Sequence, residues 1–134
     1  MAGVRGKIDL SGLQKFQEAL KKLDGAQRQK WWEAAVKEMA ARLLAKAIKR
    51  TPKDRGTLQH GWTVGEVKKD GDEYTVEVIN PVYYAPYVEF GHRTANHRGW
   101  VEGRFMLTIS EQELLADAPR ILQAKLDRFM GGIK

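Results

Sequence analysis

Residues 27–50, QRQKWWEAAVKEMAARLLAKAIKR, set the fold class when read beside residues 73–80, EYTVEVIN, because the period of the apolar side chains changes between them. In the first stretch Trp32, Val36, Met39, Leu43 and Ala47 return at helical spacing, and Leu44 and Ile48 widen the stripe. Lys30, Lys37, Lys46 and Lys49 take the opposite face, and the alanines between raise helix propensity. Thr51-Pro52 ends the helix, since a proline disfavours helical geometry in the residue before it. In the second stretch Tyr74, Val76 and Val78 alternate with Thr75, Glu77 and Ile79, the pattern of a half-buried strand that Asn80-Pro81 terminates.

Working outward, Trp62, Val64 and Val67 predict a preceding strand whose alternation slips near Gly65, where a bulge fits. Lys69-Asp70-Gly71-Asp72 is a turn, so the two strands form a hairpin. A lone hairpin is marginal in water, and the long helix is the natural cover for its apolar face. Upstream, Leu13, Phe16, Leu20 and Leu23 predict a first helix, capped by Ser11 or Asp9 and ended by Asp24-Gly25. Downstream, Pro86 suits the first turn of a short helix with Tyr84, Val88 and Tyr87 on a common side. Gly91 to Gly103 reads as a long polar loop, and Phe105, Leu107 and Ile109 as a third strand. Ser110-Glu111-Gln112-Glu113 matches a capping box, which starts the last helix at Glu111. Leu114, Leu115, Ala118, Ile121, Leu122, Leu126 and Phe129 carry it to about Met130, with a kink at Pro119 and an end at Gly131-Gly132.

The expectation is one α+β domain over residues 1–134, with a small antiparallel sheet of three to four strands and the long and terminal helices packed on one face. Its parts are an N-terminal helix in 1–25, the long helix in 26–51, the hairpin in 58–80, the loop 91–103 and the C-terminal helix 111–130. The length suits a single core, and 43% hydrophobic with 30% charged residues is a globular composition. The absence of cysteine excludes a disulfide scaffold, thiolate metal sites and a cysteine nucleophile. No apolar run reaches the length of a membrane span, and MAGVRGKIDL lacks the apolar core of a signal peptide, so a cytoplasmic, membrane-free protein is expected. The net charge of +6 is uneven: residues 1–60 hold 14 Lys and Arg against 6 Asp and Glu, and residues 61–134 hold 9 against 11. Such a balance suits an acidic partner for the first half, whether nucleic acid, an acidic protein surface or the acidic half of another copy.

Chemistry-bearing residues gather between Tyr83 and Leu107 but form no catalytic set. His92 and His97, with Glu89 and Glu102 nearby, lack the one-turn spacing of helical zinc sites, and no cofactor or metal is expected. His92 suits a bond to a backbone carbonyl after the Gly91 turn. Glu89 lies between Val88 and Phe90 and has Arg93, His92 or Arg104 as prospective ion-pair partners. Ser11 and Ser110 read as helix caps rather than nucleophiles, and neither a Gly-x-Ser-x-Gly nor a P-loop is present, so an enzyme is the least supported class. Arg93, His97 and Arg98, with Trp100, could meet phosphates and bases, although no nucleic-acid-binding motif accompanies them. Trp31, Trp32 and Trp62 read as core, and Trp100 as a candidate for a partner surface.

Two stretches carry a family likeness. Thr51-Pro52-Lys53-Asp54-Arg55-Gly56-Thr57-Leu58 follows the long helix, and Tyr84-Ala85-Pro86-Tyr87-Val88-Glu89-Phe90-Gly91 follows the hairpin. In that order, from about Gln27 to the end of the chain, they resemble the minor structural proteins of tailed bacteriophages that complete tails or join head to tail. Arg55 and Gly103-Arg104-Phe105-Met106 depart from the usual pattern. The resemblance implies a non-enzymatic neck or tail component of a phage or prophage particle, assembled in the host cytoplasm. It implies self-association into a ring, commonly six-fold, beside head–tail connector and tail proteins. The expected assembly surface comprises Tyr84, Tyr87, Glu89, Phe90, His92, Arg93, Arg98, Trp100 and Arg104, and the alternative is a basic accessory protein touching DNA through Arg93, His97 and Arg98.

Overall fold

The computed structural model describes residues 3–9, 18, 20–53, 56–71 and 73–131. Its elements in chain order are β1 (Val4–Asp9), α1 (Gly25–Arg50), α2 (Thr57–His60), β2 (Thr63–Val64), β3 (Lys68–Asp70), β4 (Glu73–Asn80), α3 (Ala85–Phe90), β5 (Gly91–Arg93), β6 (Trp100–Glu102) and α4 (Met106–Gly131). The α+β class is as the two periods predict.

β4 is the strand on which the sheet is built. One edge pairs antiparallel with β1 from Val4↔Asn80 to Asp9↔Thr75. The other edge pairs with β2 (Val64↔Val78) and then with β3 (Lys68↔Thr75). Between those two pairs the β2–β3 side advances four residues and β4 three, so one residue is extra, and the Gly65 N–H still donates to the Glu77 carbonyl at 2.9 Å. This is the bulge predicted near Gly65. Tyr74, Val76, Val78 and Asn80 of β4 face the core.

α1 lies over that face and also against α4. Its buried stripe is wider than the heptad-like reading, adding Trp31, Ala35 and Ala40 to Trp32, Val36, Met39, Leu43 and Ala47. A helix packed on both a sheet and a second helix needs two contact faces, and small alanines let both neighbours approach. The Trp32 ring stacks on Tyr74 of β4 at 6.4 Å, and Trp31 meets Trp32 edge-on at 4.9 Å. Ion pairs Glu38–Lys125 (3.1 Å) and Arg50–Glu113 (2.6 Å) set α4 antiparallel to α1. At the end of α1 the Thr51 hydroxyl donates to the Ala47 carbonyl at 2.6 Å and accepts from the buried Trp62 indole at 2.7 Å.

Four expectations are corrected. β1 is a strand in what read as a polar start; its inward positions are Val4, Gly6 and Ile8, and the central glycine hides the alternation. Gly6 is small by necessity, because a Cβ there would strike the Leu107 and Glu111 side chains of α4. Asp24, expected only as part of the stop of the first helix, is also the N-cap of α1, accepting from the Gln27 N–H at 2.8 Å while the Gln27 side chain accepts from the Asp24 N–H. Phe105 to Ile109 is no third strand: α4 begins at Met106, five residues before the predicted start at Glu111. Ser110 is consequently inside α4, buried, its hydroxyl donating to the Met106 carbonyl rather than capping an end. Leu13, Phe16 and Ser11 of the predicted first helix lie outside the described residues, while Leu20 and Leu23 are in the core. Pro119 lies within α4.

Candidate assembly surface

The two family-like stretches meet at a buried asparagine. The Asn80 amide donates to the Leu58 carbonyl at 2.7 Å, at the end of the first stretch, and its oxygen accepts from the Val82 N–H at 3.2 Å, at the entry to the second. From there the chain turns into α3, with Tyr84 at its N-cap and Pro86 in its first turn, where a missing N–H does no harm. Ala85 and Glu89 point inward. Tyr83, Tyr87 and Phe90 point outward and are 75%, 55% and 57% exposed.

Glu89 is fully buried, and its carboxylate forms none of the ion pairs expected with Arg93, His92 or Arg104. Instead Oε1 accepts from the Leu107 N–H at 2.9 Å, and Oε2 accepts from the N–H and the hydroxyl of Thr108, both at 2.8 Å. The first turn of a helix presents unpaired N–H groups at the positive end of its dipole, and a carboxylate is their natural partner. Glu89 thus caps α4 from another helix, which explains why α4 can begin at Met106 without a capping side chain of its own. Two main-chain bonds brace the same junction: Arg104 N–H to Val88 carbonyl (2.7 Å) and Phe105 N–H to Glu89 carbonyl (3.0 Å).

The segment between these two helices is not the long loop that its polar composition predicts. β5 and β6 form a ribbon with Gly91↔Glu102, His92↔Val101 and Arg93↔Trp100 in register. Its tip is closed by Thr94 and Asn96: the Thr94 N–H donates to the Gly99 carbonyl at 3.0 Å, and the Asn96 side chain accepts from the Arg98 N–H at 3.0 Å. Gly91, at φ +93°, opens the ribbon, where a Cβ would come within 2.6 Å of the Val101 carbonyl and 2.9 Å of the Trp100 ring on β6.

On the ribbon Trp100 (56% exposed) and Val101 (44%) are further exposed apolar side chains, which as neighbours on one strand point to opposite faces. Arg93, His97 and Arg98 are exposed on the ribbon, whereas His92 of β5 and Tyr84 are half-buried. The His92 ring packs edge-on against Tyr87 at 5.9 Å, and its buried Nδ1 has no hydrogen-bond partner, so the predicted bond to a backbone carbonyl is not made. Tyr84, Tyr87, Val88, His92, Arg93 and His97 line an open groove of about 500 Å³. Arg104 lies apart from this group, beside Lys49, Arg50 and Glu113. Tyr83 and Val101 were not singled out from the sequence: in Tyr83-Tyr84 nothing local says which ring faces outward, and Val101 reads as part of a loop until its pairing with His92 is known.

Among the described residues no group of three or more His, Asp or Glu could hold a metal ion, and no helix is long and apolar enough to cross a membrane. Searches of curated proteins and of solved structures found no match. One family model matches residues 14–91, from the predicted first helix through α1, α2, β2, β3, β4 and α3 to the first residue of the ribbon, leaving out β1 and α4. That span is more than half of the chain, which belongs to the HK97-gp10-like family, described as "Bacteriophage HK97-gp10, putative tail-component".

Proposed function

We propose that this protein is a non-enzymatic structural component of a tailed phage or prophage particle, acting in tail completion or head–tail joining by assembling into a ring at the neck. The observation that supports this reading is the clustering of exposed apolar side chains. Of the seven large hydrophobic residues exposed among the described ones, Tyr83 lies just before α3, Tyr87 and Phe90 on it, and Trp100 and Val101 on the ribbon; only Val64 and Leu115 lie elsewhere. Surfaces of that kind are where proteins meet, and aromatic residues carry much of the binding energy there. Arg93 and Arg98 flank the patch as polar rim. Glu89 supports the surface from within by fixing α3 to α4, rather than touching a neighbour.

A patch of this sort on one side of a subunit, docked on a different surface of the next, is a heterologous contact, the kind that closes into a ring. Connector and tail proteins are the neighbours such a ring would meet, and the virion its final location, reached after assembly in the host cytoplasm. The decisive experiment is electron microscopy of a lysate from a source element carrying a stop codon in this gene. Heads lying beside unjoined tails, or tails of irregular length, support the reading. Normal joined particles overturn it.

A further inference from the structure

A second surface, remote in character from the aromatic patch, is made almost entirely of cations. Lys46, Lys49 and Arg50 on the last turns of α1 face Arg104 and Glu113 across an open furrow of about 670 Å³, with Ala45 the single apolar residue in its wall. Glu113 bonds Arg50 at 2.6 Å and Lys46 at 3.6 Å, so one carboxylate already sits where the cations converge. Lys49 and Arg104 are exposed, and no carboxylate lies within ion-pair distance of either among the described residues. Beyond the furrow a slanting row of exposed positions runs back along α1 through Ala41, Lys37 and Lys30, and those two lysines likewise have no carboxylate partner among the described residues. From Lys30 to Lys49 the track is about 29 Å long at about 1.5 Å per residue.

We infer that this furrow and lysine track bind the sugar–phosphate backbone of duplex DNA, without regard to base sequence. The chemistry of the walls selects the ligand. A docked polypeptide needs apolar anchors in pockets, and the furrow offers only Ala45. Single-stranded nucleic acid needs aromatic platforms for its bases, and the furrow has none. A duplex backbone needs only cations at intervals, its binding driven by counterion release. The site also differs from the ribbon residues Arg93, His97 and Arg98. The inference does not depend on the assembly reading, since it concerns the isolated protein in solution.

The test is fluorescence anisotropy of the full chain with a labelled duplex of about 20 base pairs at about 50 to 200 mM salt. Binding should weaken steeply with salt. K49Q/R104Q should lower affinity at least about tenfold at the lower salt and reduce the logarithmic salt slope by about 2. E113Q, which frees Lys46 and Arg50, should bind several-fold tighter, whereas R93Q/R98Q should stay within about twofold of the parent. K30Q/K37Q gives an independent, graded loss should the furrow variant be poorly folded by circular dichroism. The inference is overturned by absent duplex binding at the lower salt or by equal loss in R93Q/R98Q. Tighter binding of polyglutamate than of duplex would overturn it too, as would complete competition by inorganic phosphate at matched ionic strength.

Discussion

The carboxylate of Glu89 and the main chain of Thr108 meet nineteen residues apart, at the point where α3 ends and α4 begins: Oε2 takes both the N–H and the hydroxyl of Thr108 at 2.8 Å. With the Leu107 N–H on Oε1, three donors depend on one fully buried side chain. Replacing Glu89 by Ala should destabilise the protein by about 2 to 4 kcal/mol, combining the loss of a cap with donors left unpaired inside. Thr108→Ala, which removes only the hydroxyl, should cost about 1 kcal/mol. Urea unfolding of both variants measures this; equal midpoints for E89A and the parent would show that the cap contributes nothing.

Gly91 supplies the second constraint on the same region. Its positive φ of +93° and the near approach of Val101 and Trp100 mean that G91A must both strain the backbone and push β6 away from β5. The expected cost is about 1 to 3 kcal/mol. Trp100 fluorescence should shift to a more solvated emission before global unfolding, and an unchanged spectrum would count against the packing described.

Two carboxylates should respond to pH in opposite senses. Burial raises the pKa of Glu111, and the neighbouring Glu89 carboxylate raises it further. A raised folded value means that stability is greatest below the ordinary carboxylate range and is lost as pH climbs through the folded pKa. E111Q should therefore melt higher than the parent at pH 7, with the gain vanishing in acid. Burial also pushes Glu38 upward, but Lys125 and Arg42 outweigh it and hold the carboxyl below its ordinary value. Its contribution is present above the unfolded pKa and is lost as pH falls through the folded one. E38Q should melt lower at pH 7 and converge on the parent in acid. Thermal melts at a series of pH values decide both signs.

The aromatic patch separates assembly from folding. Y87A/W100A removes two exposed rings and should leave the unfolding midpoint within about 0.5 kcal/mol of the parent, as surface changes usually do. It should fail to complement a stop codon in particle assembly. Full complementation by a well-folded double variant would remove α3 and the ribbon from the interface.

The parts of the fold that could be read in advance are those whose signal is local and periodic. α1 shows its stripe over 24 residues, and β4 its alternation over eight, so both emerge nearly whole, and the slip at Gly65 locates the bulge. Where the cause is distant, the reading fails. β1 is held by pairing with residues 75–80, and Gly6 breaks its apolar pattern. The start of α4 is set by Glu89, so the local Ser110 signature pointed five residues too far along. The ribbon looks like a loop because its two strands are three residues each and, with no core to face, carry no alternation of apolar and polar side chains. Of the surface residues, Tyr87, Phe90 and Trp100 were legible as aromatics among polar neighbours. Glu89 drew notice as a carboxylate between apolar neighbours, but its partners are main-chain donors, which no side-chain inventory reveals.

That cap makes an uneven contract between the two ends of the molecule. On the α3 side only one residue type at one position reaches the amides of α4. On the α4 side two of the three donors, the N–H groups of Leu107 and Thr108, are main-chain groups, supplied by every residue except proline. The matched family span closes at Gly91, on the side that holds the specific half of the joint. Substitution at Leu107 or Thr108 by any residue but proline therefore keeps both amides of the joint, whereas Glu89 has no such latitude.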